Sequence, residues 1–130
     1  FRQAIPHYEQ AIALERAHST LGKAVWRLLV HNLGVAYGMT GDLARAKTTL
    51  DYGLSRDPAN SLFHYHLART YAGLNDREKA MQPLHAAFRN DRQREAGDRI
   101  PDPRQDVSFR RFMLDPTFRD LAESLMQPAI

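Results

Sequence analysis

Six histidines, His7, His18, His31, His64, His66 and His85, are the residues of this sequence best suited to hold a metal or move a proton. No two of them stand four apart, the spacing that would aim two imidazoles at one ion from a helix face. His64 and His66 are two apart, roughly 200° around a helix axis from each other, so they do not share an ion. Cysteine is absent, which removes thiolate zinc sites, disulfides and cysteine nucleophiles together. Acidic pairs such as Asp76/Glu78 and Asp120/Glu123 read as solvated helix faces, and nothing aims two carboxylates at one cleft. There is no glycine-rich phosphate loop and no nucleophile elbow. The residues predict no catalytic set, no metal and no cofactor.

The aromatic residues Trp26, Tyr37, Tyr52 and Tyr71 could stack on nucleobases, but charge argues against that use. The chain has 18 basic and 15 acidic residues, and from Arg89 onward each sign occurs eight times. No stretch forms a one-signed basic face of the kind that phosphate backbones favour, so nucleic acid is not an expected partner. Arginine far outnumbers lysine, which occurs only at Lys23, Lys47 and Lys79 and points weakly to a GC-rich bacterial genome.

Something must position these residues, and 130 of them, 43% apolar and 25% charged, suit one modest globular domain with a single core. The longest uncharged stretch, Leu28 to Gly41, is broken by His31 and Asn32 and falls short of the roughly 20 apolar residues that span a bilayer. No membrane insertion is expected. Without cysteine, cytoplasm and periplasm both stay open as compartments, the cytoplasm slightly favoured.

The positioning device is a repeat. "NLGVAYGMTGDLARAKTTL", from Asn32, is echoed by "HLARTYAGLNDREKAMQPL", from His66. Leu33 matches Leu67, Gly34 matches Ala68, Tyr37 matches Tyr71, Ala46 matches Ala80, Leu50 matches Leu84 and Gly53 matches Ala87, each pair 34 apart. Helical spacing before "TGD" and again after it predicts two antiparallel helices per unit, with small residues where the backbones come close. Asp57 and Pro58 are read as the next helix's cap and entrance. An earlier half-unit, "AIPHYEQAIAL", aligns with Ala46, Leu50 and Gly53 at a spacing of 42, and the eight extra residues are read as added helical turns around Thr20 to Val25. After Phe88 the period fails in a charged, proline-containing segment. Val107, Phe109, Phe112 and Met113, then "DPTFRDLAESL" with Phe118, Leu121, Ala122 and Leu125, predict a closing helix pair.

A small residue, a tyrosine, a turn, an alanine, a large apolar residue, a small residue and then Asp-Pro, on a period of 34, resemble the tetratricopeptide repeat. The resemblance implies an all-α fold: antiparallel helix hairpins stacked as a right-handed superhelical solenoid, with a C-terminal capping helix pair. The organisation expected is a repeat array over 1–90 (a partial unit 1–17, full units about 19–57 and 58–91), a loop over 91–106 and capping helices over 107–130. Because the chain opens on the second helix of a unit, it is expected to be a fragment with an exposed N-terminal repeat edge.

In the family, first helices line an inner surface that holds other polypeptides. By that resemblance the partner-binding residues are Leu28, His31, Asn32, Val35 and Met39 in one unit and Leu62, Tyr65, His66 and Arg69 in the next. Some relatives hold a peptide's terminal carboxylate through lysine, asparagine and arginine. Asn32 matches one of their asparagines, but Leu62 and His66 stand where a lysine and an arginine would lie, a departure from that clamp. The function expected is a non-catalytic scaffold for a peptide or partner helix. The alternatives are a docking module of a larger enzyme, or a unit that self-assembles through its N-terminal edge.

Overall fold

The computed structural model describes residues 2–19, 21–89 and 100–127, and among them the chain is all-helical, with no strand. Where length predicts one core, the chain divides into two compact units, residues 1–58 and 59–130. Repeated hairpins bury their apolar faces against immediate neighbours, so a short array has no need of one shared centre.

The first unit holds α1 (Ile5–His18), α2 (Lys23–Met39) and α3 (Leu43–Arg56), with α2 packed against both others. α2 buries Trp26, Val30, Leu33 and Tyr37, one side of a helix at steps of four, three and four. α3 answers with Ala46, Leu50 and Gly53. Gly34 is small for a reason: a Cβ there would stand 3.1 Å from Leu50 Cδ2. The Trp26 indole N–H donates to Tyr52 Oη at 3.2 Å, and the Arg56 guanidinium lies 4.5 Å from the Trp26 ring centroid. The buried Glu15 carboxylate accepts the Leu21 N–H at 2.8 Å, which ties down the turn between α1 and α2.

The eight extra residues between the half-unit and the first full unit are only partly helical. α1 ends at His18, Ser19 takes the left-handed conformation, and Gly22 is the N-cap of α2; Thr20 lies outside the described residues. By the 34-residue register α2 starts one turn earlier than its counterpart in the second unit, so the insertion supplies a turn of chain and a turn of helix.

The second unit holds α4 (Ser61–Gly73), α5 (Arg77–Arg89), a 3₁₀ helix (Val107–Leu114) and α6 (Pro116–Leu125). Its core gathers Tyr65, Ala68, Ala72, Ala80, Leu84, Phe109, Phe112, Phe118 and Ala122. The closing pair therefore supplies three phenylalanines to the middle of the unit. Its first member is a 3₁₀ helix with Val107 facing water, and Asp115 caps its second member by accepting the Phe118 N–H at 2.9 Å. Of the expected loop over 91–106, residues 91–99 lie outside the described residues.

Both interhelical turns within hairpins use one design. Gly41 and Asn75 hold φ of 84° and 60°. The Asp42 N–H donates to Tyr37 O and the Asp76 N–H to Tyr71 O, both at 2.9 Å, which closes the first helix with a Schellman turn. The same aspartates open the second helix, Asp42 accepting from Arg45 N–H and Asp76 from Lys79 N–H. Asp57, read from sequence as a cap, is not one. Asn60 caps α4 by accepting the Phe63 N–H at 3.0 Å, while Asp57 turns back to bind the Arg27 guanidinium at 2.7 Å. A carboxylate four residues ahead of Ser61 is too early to reach the first free N–H groups.

Candidate protein-binding face

α2 is apolar on two sides. One is the buried stripe above; the other runs Val25, Leu28, Asn32, Val35 and Met39, stepping by three and four residues. Its ends stand open: Val25 is 51% exposed, Leu28 58% and Met39 61%. Asn32 and Val35 in its middle are half-buried, and His31 lies beside them with Nδ1 3.4 Å from Asn32 Oδ1. All five residues expected on a partner-facing surface in this unit thus keep surface in contact with water. Val25 belongs with them although the sequence reading assigned it to a structural insertion; counting the three-four rhythm backward from Leu28 finds it.

The second unit is different, and Tyr65 is the correction. Its ring is fully buried, edge-on to Phe109 with centroids 5.9 Å apart, and its hydroxyl donates to Asp106 Oδ2 at 2.7 Å. Arg69 Nε lies 3.5 Å from the same carboxylate and donates to Ser108 Oγ at 3.1 Å. The Arg111 guanidinium donates to the Ala72 carbonyl. The 3₁₀ helix and the residue preceding it therefore occupy the α4 surface at Tyr65 and Arg69. Leu62 and His66 are half-buried, His66 lying 3.5 Å from Arg69 Nη1 through its Nδ1.

This latch has defined electrostatics. Burial pushes the Tyr65 phenol well above its usual value, and the hydrogen bond to Asp106 raises it further. Burial alone would raise the Asp106 carboxyl as well, but hydrogen bonds from Tyr65 and the Ser108 N–H, with the Arg69 charge, outweigh it and hold the group below the ordinary carboxylate range. A cation, a phenol and a buried carboxylate so arranged make a structural joint.

Among the described residues no group of three or more His, Asp or Glu is placed to hold a metal ion. Among them, too, no helix is long and apolar enough to cross a membrane.

The family model described as Tetratricopeptide repeat matches residues 39–99, from the last residue of α2 through α5. The matched segment carries the tetratricopeptide repeat. No curated protein and no solved structure shows significant similarity to the chain. Tetratricopeptide repeats generally mediate protein–protein interactions and are generally non-catalytic, which makes another protein the expected kind of partner. The two Schellman turns, the paired Ala46 and Ala80, and the paired Leu50 and Leu84 are this chain's version of the repeat's hairpin.

Proposed function

We propose that the chain is a non-catalytic scaffold that binds another polypeptide along the outward stripe of α2, with Leu28, Val35 and Met39 supplying apolar contact and His31 and Asn32 polar register. One observation carries the reading: α2 is apolar on both sides, although only one side is consumed by its own unit. A helix in water keeps one polar face. α3 does so, with Arg45, Lys47, Thr48 and Asp51 turned outward. Leaving Leu28 and Met39 in water forgoes roughly 1.5–3 kcal/mol of burial for each, which a partner recovers. Tyr65 and Arg69 are not part of the proposed face, because the joint to Asp106 engages them.

The test is a paired substitution, Leu28→Asp with Met39→Asp, whose positions are too exposed to disturb the core. The scaffold reading expects a partner captured by the parent chain to be lost from the variant, with the melting temperature within about 2 °C of the parent. Capture that is equal in both chains would remove the face from consideration.

A further inference from the structure

We infer that α1 seats a further helix, one that runs antiparallel to it and carries a glycine opposite Tyr8; this is independent of the scaffold reading, which uses α2. The ground is internal to the chain. Ala4, Tyr8 and Ala11 align with Ala46, Leu50 and Gly53 of α3, and those in turn with Ala80, Leu84 and Ala87 of α5. α3 is packed against the helix before it, α2, and α5 against α4. There the aligned residues are closed from water: Ala46 and Leu50 are at most 1% exposed, Gly53 is buried, and Ala80, Leu84 and Ala87 are at 0%. On α1 the same three positions are only half-buried. Leu14 extends them toward the end of the helix and is 58% exposed, where the register places Arg56 on α3. Twice in this chain such a face is closed by a helix, and the same kind of occupant fits it a third time.

The pair of α2 and α3 supplies the pattern. Arg56 lies 4.5 Å from the Trp26 ring centroid, and a Cβ at Gly34 would stand 3.1 Å from Leu50 Cδ2. Positions falling from 56 to 50 on α3 thus meet positions rising from 26 to 34 on α2, so the two helices run antiparallel. Transferred to α1, Leu14 faces a large apolar residue in the occupant's first turn, and Tyr8 faces the position eight residues further on. Leu50 already leaves little room for a Cβ opposite it, and tyrosine is larger than leucine, so the position opposite Tyr8 calls for glycine. A second copy has no free helix of this kind, because its α2 and α4 are each packed in their own hairpins.

The experiment uses the whole chain and three labelled synthetic 17-residue helices read by fluorescence anisotropy. The first carries tryptophan in its first turn, glycine eight residues later, leucine at the other positions of that face, and glutamate and lysine elsewhere. The second has leucine in place of the glycine, and the third scrambles the first so that no apolar face forms. The first is expected to bind at least about tenfold more tightly than either of the others. Tyr8→Ala should remove the demand for glycine and bring the first two peptides within about threefold of each other. Ala11→Glu, which sets a charge in the seat, should abolish binding of the first peptide; should that variant not fold, the exchange at Tyr8 decides alone. Leu28→Asp with Met39→Asp should leave this binding as it is in the parent chain. No binding of the first peptide, equal binding of glycine and leucine peptides, or a glycine preference that survives Tyr8→Ala overturns the inference. Binding lost in the Leu28 and Met39 variant also overturns it, since the peptide would then lie on α2, and the scaffold reading would stand without it. So does sedimentation showing a dimer that Ala11→Glu dissolves, since a second copy would then be the occupant.

Discussion

Asn75 and Gly41 do the same task with different side chains, and that difference is measurable. Both close a first helix in the left-handed region, where an L side chain costs about 1 kcal/mol relative to glycine. Asn75 is exposed and its backbone N–H is already spent on Ala72 O at 2.9 Å, so nothing in the fold needs its Cβ. Asn75→Gly is expected to raise stability by about 0.5 kcal/mol, and Gly41→Ala to lower it by about 1 kcal/mol. Urea unfolding at constant m-value checks both; a stabilising Gly41→Ala would show that the turn does not need its positive φ. At Gly34 the constraint is space instead. Gly34→Val would drive two methyl groups into Leu50, and a loss of about 1–3 kcal/mol is expected by the same measurement.

At the level of elements, what was legible in sequence is what repeats locally. The 34-residue period located both hairpins because each pairs a small residue with a leucine, Gly34 packed under Leu50 in the first and Ala68 and Leu84 buried in one core at the matching positions of the second, and has a turn that is at once a helix end and a helix start. The role of Asp57 was not legible. Its partner Arg27 lies 30 residues away, while the capping explanation was next door. Tyr65 was misplaced for the same reason at longer range: the carboxylate that buries its hydroxyl is 41 residues on, in a segment outside the period. No spacing rule announces that joint. The three phenylalanines of the closing pair carry a corresponding weight. Phe109→Ala removes a fully buried ring from between Tyr65 and Phe118, and a loss of about 3–5 kcal/mol is expected, against well under 1 kcal/mol for Val107→Ala two residues earlier. Similar losses for the two would mean that the 3₁₀ helix does not dock as described.

For the whole molecule, the same joint sets how stability responds to pH. The Asp106 carboxyl is held below its unfolded value, so its contribution is present above about pH 4 and is lost as pH falls through the lower, folded value. Tyr65 runs the other way. Its folded value is raised, so its contribution is complete below about pH 10, the unfolded value, and is lost as pH climbs toward the folded one. Tyr37, raised by burial and then by a hydrogen bond with Glu9, adds to the alkaline side in the first unit. Between these limits the two effects predict a plateau, with stability falling at both ends. Asp106→Asn keeps the shape of the joint but removes its titration. It is expected to cost about 1–3 kcal/mol at neutral pH and to flatten the acid fall between pH 4 and pH 2. The measurement is the thermal midpoint of parent and variant across that range. A variant whose midpoint drops as steeply with acid as the parent's would show that other carboxylates, and not the joint between Asp106 and α4, govern the acid limb.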